Sequence, residues 1–298
     1  MTDISGKVAV VTGGGSGIGK GLSLELARQG ASVAVSDINL DNAGKVAAQI
    51  RAAGGNAMAL QCDVCERDSI QSMKKQVNAR FGVVGLVFAN AGATSFTHLS
   101  DMSDHDVDWI IQVNLMGVMY TTRAFLPDMI AAGGGHLCAT ASMAGLLPGW
   151  IPAHVPYSAA KAGIIALMMN LQLEVRKHHV FTTSYCPGAV ASGMKDNNGR
   201  YRPARFGGPA KEAALQFAGG DTTHSDLRFY RPEDIAPIVL NAVRKNRPFV
   251  FDHADQRRFF RQTYSDVVEA CYDDIAAWEQ EHGIPEGNPT GASLIDRD

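Results

Sequence analysis

A tyrosine and a lysine four residues apart, in the string Tyr157-Ser158-Ala159-Ala160-Lys161 directly after Pro156, are the residues of this sequence best placed to move a proton. At i and i+4 on a helix that opens after the proline, both side chains emerge from one face. A phenol titrates near ~10 and is a poor base at neutral pH. A neighbouring ammonium stabilises the phenolate, so Lys161 is expected to draw the Tyr157 pKa down. Alone, Tyr-x-x-x-Lys is also a common surface contact, and the rest of the chain must decide between the two.

A second constellation lies near the start. The run Lys7-Val8-Ala9-Val10-Val11-Thr12 reads as a strand and passes directly into Gly13-Gly14-Gly15-Ser16-Gly17-Ile18-Gly19 and a helical pattern. Glycines so placed let the backbone turn tightly and approach a pyrophosphate, while the following helix offers unpaired N–H groups and a positive dipole end. The next strand ends Val33-Ala34-Val35-Ser36-Asp37. A carboxylate about 20 residues beyond the glycines can accept from both hydroxyls of an adenine ribose. Asp37 would repel a 2′-phosphate, and no Arg or Lys follows it or sits among the loop glycines, so the cofactor expected is NAD rather than NADP.

Short Val, Ala and Ile runs alternating with longer helical patterns position these groups. Strands are expected near 7–12, 32–37, 56–61, 85–89, 135–140, 180–185 and 248–251, with helices near 17–30, 41–54, 66–80, 103–132, 156–178 and 232–245. That rhythm predicts an α/β chain with a Rossmann-type, doubly wound parallel sheet of about seven strands and helices on both faces. Residues 1–251 would form a single catalytic domain. Within it, 188–231 are long, aperiodic and rich in Gly, Pro, Arg and Asn, which suggests a substrate lid. Residues 252–298 would be a C-terminal extension: a helix over 254–282, whose apolar positions include Phe259, Phe260, Tyr264, Val268, Cys271, Ile275 and Trp278, then a Gly/Pro tail.

With these residues in view the chain resembles the short-chain dehydrogenase/reductases over roughly residues 5–251. Their Thr-Gly-x-x-x-Gly-x-Gly appears as Thr12, Gly13, Gly17 and Gly19, their acidic turn after the third strand as Asp63-Val64, and their Asn-Ala-Gly as Asn90-Ala91-Gly92. Asn114, Ser142, the Tyr157–Lys161 pair and Pro187-Gly188 complete the match. The resemblance implies that Tyr157 takes the alcohol proton as hydride leaves for a nicotinamide. It implies that Lys161 tunes Tyr157 and holds the nicotinamide ribose, that Ser142 bonds the substrate oxygen, and that Asn114 anchors a water leading to Lys161. Gly15, Ser16 and Ile18 in the glycine turn, Asp63 and Val64 around the adenine, Asn90, Ala91 and Gly92 at the adenosine ribose, and Val190 after the sixth strand join the implied cofactor set. Ser192 stands where the family often has Thr and can still offer a hydroxyl to the carboxamide.

Ser142 and Tyr157 are slightly further apart than is usual in the family, and the residues between them are apolar. Met143, Leu147, Trp150 and Ile151 either line a site for a bulky hydrophobic alcohol or ketone or belong to the core or a subunit contact. His154 invites a catalytic reading, although such a histidine more often packs locally. Arg200, Tyr201, Arg202 and Arg205 could meet an acidic substrate group, but a solvated loop is the simpler reading. Around residues 108–114 and 202–207, and in its longer C-terminus, the chain also looks similar to bacterial dehydrogenases that oxidise benzylic alcohols of lignin-derived aryl ethers.

Composition narrows the classes. The 298 residues are 46% hydrophobic and 19% charged with a net charge of -3, and the basic residues are scattered, which argues against nucleic acid and anionic membranes as partners. The start carries no signal-like pattern and no apolar run is long enough to span a bilayer, so a cytoplasmic protein is expected. Five cysteines are too few and too odd for a disulfide framework, and Cys62-x-x-Cys65 lacks a matching ligand pair, so no metal is expected. The function expected is NAD-dependent interconversion of a hydrophobic, ring-bearing secondary alcohol and its ketone by a homodimer or homotetramer. The rivals are an acyl-thioester ketone reductase and a non-catalytic NAD-binding regulator.

Overall fold

Residues of alternate parity in the first strand face opposite sides: Val8 and Val10 enter one apolar cluster, Ala9 and Val11 the other. A strand buried on both faces needs a helical layer on each side, and that is the architecture of the computed structural model, which describes residues 1–147, 149, 151–194, 197–210, 228–285, 287 and 293. Seven strands, β1 (Val8–Thr12), β2 (Ser32–Asp37), β3 (Asn56–Gln61), β4 (Leu86–Ala89), β5 (Gly135–Thr140), β6 (Val180–Cys186) and β7 (Phe249–Phe251), form one sheet in the order β3-β2-β1-β4-β5-β6-β7. All pairings are parallel, with Val10 opposite Ala34 on one side and Val87 on the other. The predicted fold class and all seven strands are present.

Helices α1 (Gly17–Arg28) and α2 (Leu40–Ala52) cover one face. There α1 crosses α8 (Pro232–Arg244) so closely that a Cβ on Gly21 would stand 2.6 Å from the Pro232 carbonyl oxygen. Helices α3 (Arg67–Phe81), α5 (Gly117–Ala131) and α6 (Val155–Val175) cover the other, burying Ile70, Met73, Phe125, Ile164 and Met168. Each such side chain contributes about 1.5–3 kcal/mol. Asn39 caps α2 by accepting from the Asn42 amide. Ser103 and Asp106 form a reciprocal capping box on α4 (Asp104–Ile111).

The continuous helix expected over 103–132 is α4, a π-helical turn (Gln112–Met116) and α5. Hydropathy cannot reveal the widened turn, which places Asn114 wholly inside the protein. The helix expected over 254–282 is likewise divided into α9 (Gln256–Phe260), a π turn (Arg261–Ser265) and α10 (Asp266–Glu281). Phe260 packs on the main core, but no residue of α10 is buried, and Val268, Tyr272, Ile275 and Trp278 are exposed. No described helix is long and apolar enough to cross a membrane. Within 188–231, Val190 bridges Tyr230 in parallel, a short helix α7 (Asn197–Tyr201) follows, and residues 211–227 lie outside the described residues.

Candidate active site

In the sheet order the chain leaves β1 towards β2 on one side while β4 lies on the other, and that reversal opens a crevice at the strand ends. The glycine turn fills the β1 side. Gly13 has φ +62°, and a Cβ there would lie 2.9 Å from the Ala91 Cα; one on Gly19 would lie 2.1 Å from the Gly13 carbonyl oxygen. The turn is therefore folded against itself with backbone as its outer surface. Ser16 is the N-cap of α1 and makes no side-chain cap bond, so the first-turn amides remain available to a ligand.

The far wall is tied to this turn by side chains. The Thr12 hydroxyl accepts from the amides of Asn90 (3.0 Å) and Ala91 (3.1 Å), while Asn90 Nδ2 donates to the Thr12 carbonyl at 3.1 Å. Thr140 donates to Asn90 Oδ1 at 2.9 Å, so the ends of β1, β4 and β5 form one network. Thr12 and Gly19 thus stand behind the wall of the crevice, whereas Gly13, Ser16, Gly17, Ile18, Asn90, Ala91 and Gly92 line it. Asp37, Asp63 and Val64 close its outer end around a volume of about 860 Å³ that is open to solvent. Asp37 Oδ2 accepts from the Gly15 amide (2.9 Å) and Oδ1 from Asn39 (3.0 Å). Burial raises its pKa and those amide bonds oppose the rise. Gly15 has no room for a side chain, because a Cβ would meet Asn42 at 2.8 Å and Asp37 Oδ2 at 2.9 Å.

A second, more apolar cleft of about 980 Å³ adjoins the first and shares Ile18, Thr140, Ser192 and Met194 with it. Ser142, Tyr157, Pro187, Gly188 and Val190 line it, together with Thr94, Phe96, Ala144, Ile151, His154 and Phe229. Tyr157 and Lys161 project from the first turns of α6, which begins with Pro156 as expected. Lys161 is 1% exposed, donates to the Thr140 carbonyl at 2.7 Å and lies 5.4 Å from the Tyr157 ring centre.

The electrostatics correct one expectation. Burial pushes the Tyr157 phenol up to about 12, with the Ser142 hydroxyl pulling the other way, and burial pushes Lys161 down to about 7. At these buried positions desolvation outweighs the attraction between ammonium and phenolate that the spacing alone suggested. Asn114 donates through Nδ2 to the carbonyls of Ala93 and Ile110, each at 2.8 Å, and its buried Oδ1 has no partner among the described residues. That acceptor and Lys161 Nζ both lie beneath Gly92, where a Cβ would be 2.9 Å from one and 3.7 Å from the other. An orphaned acceptor beside a buried amine is a seat for a small polar group.

The two readings left open for the apolar residues between Ser142 and Tyr157 divide among them. Met143, named as a substrate residue, is in the main core with Leu147 and does not line the cleft, whereas Ile151 does, together with Ala144 of the 3₁₀ turn Met143–Gly145. Trp150 lies outside the described residues. His154 combines its two readings: it is packed between Phe96 and Tyr157 at ring distances of 5.1 and 4.3 Å, and it also lines the cleft. Burial lowers it to about 4, so it is neutral. Thr94, Phe96, Met194 and Phe229 escaped the sequence reading because they lie in loops without periodicity. Met194 Sδ sits 3.8 Å from the Tyr157 hydroxyl, where the two clefts meet. Among the described residues no cluster of metal-binding side chains occurs.

A doubly wound sheet with a glycine turn at its switch point and a tyrosine, backed by a buried lysine, where that crevice meets a more apolar cleft is the architecture of a dinucleotide-dependent oxidoreductase. The chain belongs to the short chain dehydrogenase family, whose profile matches residues 7–202. It is 38% identical over 245 residues to the cyclohexanol dehydrogenase of Acinetobacter sp. strain SE19, covering 82% of this chain and 90% of that protein. It is 29% identical over 290 residues to the C alpha-dehydrogenase of Sphingobium sp. strain NBRC 103272 / SYK-6, covering 96% and 91%. Among solved structures, a short chain dehydrogenase/reductase from Burkholderia phymatum in complex with NAD superposes with a TM-score of 0.80 at 26% identity over 98% of this chain and 100% of that one.

Proposed function

We propose that the protein interconverts a hydrophobic, ring-bearing secondary alcohol and its ketone with NAD, using Tyr157 as acid and base. The observation that carries this reading is that Ser142 and Tyr157 line the apolar cleft where it adjoins the crevice of the glycine turn, with the Tyr157 hydroxyl at the shared Met194 and Lys161 buried behind it on the carbonyl of the shared Thr140. Similarity to a cyclohexanol dehydrogenase and a C alpha-dehydrogenase supports the substrate class, and the NAD complex of the Burkholderia relative supports the cofactor.

The residues fit a dinucleotide. The amides of the glycine turn and of α1 would hold the pyrophosphate, Asp37 the adenine ribose, Asp63 and Val64 the adenine, and Asn90 to Gly92 the adenosine side of the crevice. Pro187, Gly188, Val190 and Ser192 would border the nicotinamide, which when bound accepts or gives the hydride. Ser142 donates to the substrate oxygen and holds it beside Tyr157. In oxidation the alcohol proton passes to the Tyr157 oxygen as the C–H bond breaks; in reduction Tyr157 returns it. Lys161, fixed by the Thr140 carbonyl, favours the phenolate only while it carries its proton, which burial makes easier to lose. The free Oδ1 of Asn114 accepts from a water that links Lys161 to solvent. A phenol lying near 12 before catalysis makes oxidation accelerate with rising pH, since the base form grows, while reduction slows.

The reading includes a homo-oligomer, for which the exposed Val268, Tyr272, Ile275 and Trp278 of α10 offer apolar area. Light scattering in solution reads that state. The activity itself is tested by following reduced nicotinamide while cyclohexanol, 1-phenylethanol and a hydroxysteroid are each mixed with NAD or NADP. Turnover with NAD at least ~10-fold above NADP is expected, about 1.4 kcal/mol of discrimination. Equal turnover with NADP contradicts the role given to Asp37, and no turnover of any alcohol or corresponding ketone contradicts the reaction.

A further inference from the structure

Residues 201–206, within the segment read as a substrate lid, do not line the apolar cleft, which Phe229 of the same segment does. Tyr201 lines the outer end of the polar cleft together with Asp37 and Ile38, and its hydroxyl accepts from Asn42 Nδ2 at 3.1 Å. Asn42 belongs to the first turn of α2, immediately beyond the loop that follows Asp37. The next residues cross to the opposite wall. Arg202, 5% exposed, pairs with Asp106 of α4 at 2.5 Å and donates to the Phe206 carbonyl. Phe206 sets its ring 5.4 Å from that of Trp109. Arg205 lies over Phe206, donates to Asp63 Oδ2 at 2.7 Å and approaches Glu66 at 3.2 Å. The stretch is therefore hooked on both sides of the crevice, to α2 and to the β3–α3 turn with α4.

We infer that residues 201–206 are a strap across the adenosine end of the crevice, and that Tyr201 acts with Asp37 as a second determinant of selectivity against a 2′-phosphorylated dinucleotide. The inference rests on the cofactor reading above and extends it to residues outside the glycine turn. A 2′-phosphate brings three more oxygens and close to two negative charges to the ribose edge. Asp37 opposes the charge. The Tyr201 ring, held by Asn42, occupies the wall beside that edge and opposes the volume. Arg202 is paired with Asp106 and Arg205 with Asp63 and Glu66, so neither offers a clamp.

Two obstacles in series make a non-additive pair. Removing the charge alone leaves the wall, and removing the ring alone leaves the charge. The test is a set of dissociation constants for NAD and NADP, read from protein fluorescence, for the wild type, Asp37→Ser, Tyr201→Ala, Tyr201→Phe and the Asp37→Ser/Tyr201→Ala double variant, with thermal melting as the check of folding. Each single variant should tighten NADP by less than ~5-fold and the double by ~50-fold or more. Tyr201→Phe, which keeps the ring and loses the bond to Asn42, should exclude NADP as the wild type does. Arg205→Ala, which releases one hook, should weaken NAD by ~3–10-fold, chiefly through faster dissociation. Additive NADP gains, or a double variant that binds NADP no more tightly than Asp37→Ser alone, overturn the strap and leave the cofactor reading standing. A wild type that binds NADP as tightly as NAD overturns the cofactor reading, and one that binds neither removes the ligand from both.

Discussion

The two halves of the crevice are built from different materials. On the cofactor side the inner wall is backbone: strand ends, a glycine turn and α1, locked by Thr12, Asn90 and Thr140 at 2.9–3.1 Å, with side chains only towards the adenosine end. On the substrate side they are apolar side chains carried on loops, with Phe96, Ile151 and Phe229 around a few polar groups. Backbone walls fix geometry to tenths of an ångström and tolerate little change. Side-chain walls can be remodelled one residue at a time, which lets one family keep its cofactor chemistry and vary its substrate.

The sharpest way to break that contrast is to place one methyl group in each half. Gly19→Ala puts a Cβ 2.1 Å from the Gly13 carbonyl oxygen, so the turn must open. We expect an overpacking cost of about 1–3 kcal/mol in stability and a loss of NAD affinity beyond ~100-fold by titration. Gly149→Ala, two residues before the cleft-lining Ile151, meets nothing within 4 Å and should leave both melting and NAD binding as they are. Equal effects would remove the distinction.

A smaller effect, confined to the other half, is expected from Phe96→Ala. Loss of a ring that lines the apolar cleft and stacks on His154 should raise KM for a ring-bearing alcohol by ~10-fold or more while the NAD dissociation constant stays within ~2-fold. A KM unchanged across the alcohols would place the substrate elsewhere.

The contrast also governs what could be read without coordinates. The strands, the glycine turn, Asp37 and the Tyr157–Lys161 helix were legible because backbone geometry demands particular residue types at fixed spacings. Asn114 was legible by resemblance, but the π turn that buries it was not, since one widened turn leaves no mark in hydropathy. Met143 could not be assigned between cleft and core, because the 3₁₀ turn that buries it and leaves Ala144 at the cleft has no mark in the sequence. Tyr201, Arg202 and Arg205 resembled a solvated loop, since their partners Asn42, Asp106 and Asp63 are about a hundred residues or more away in sequence and no local pattern joins them.

The smallest effect lies at the floor of the sheet, away from both halves. His136 is buried between Thr2 and Thr183 and burial holds it down to about 3. The unfolded chain binds a proton there near ~6.5, so stability is complete above that pH and declines as pH falls from about 6.5 towards about 3. His154, held to about 4, adds in the same direction. The melting temperature should fall over this interval by a few degrees beyond the decline of a His136→Gln variant, and parallel curves for the two proteins would show that His136 contributes nothing.

The central claim is that the Tyr157 hydroxyl, at the seam of the two clefts, transfers the proton. Its most direct test is Tyr157→Phe, with single-turnover hydride transfer and NAD binding measured on the same preparation. The account predicts a rate lowered by ~10²–10⁴-fold with NAD binding within ~3-fold of wild type. A variant that transfers hydride at close to the wild-type rate would contradict it.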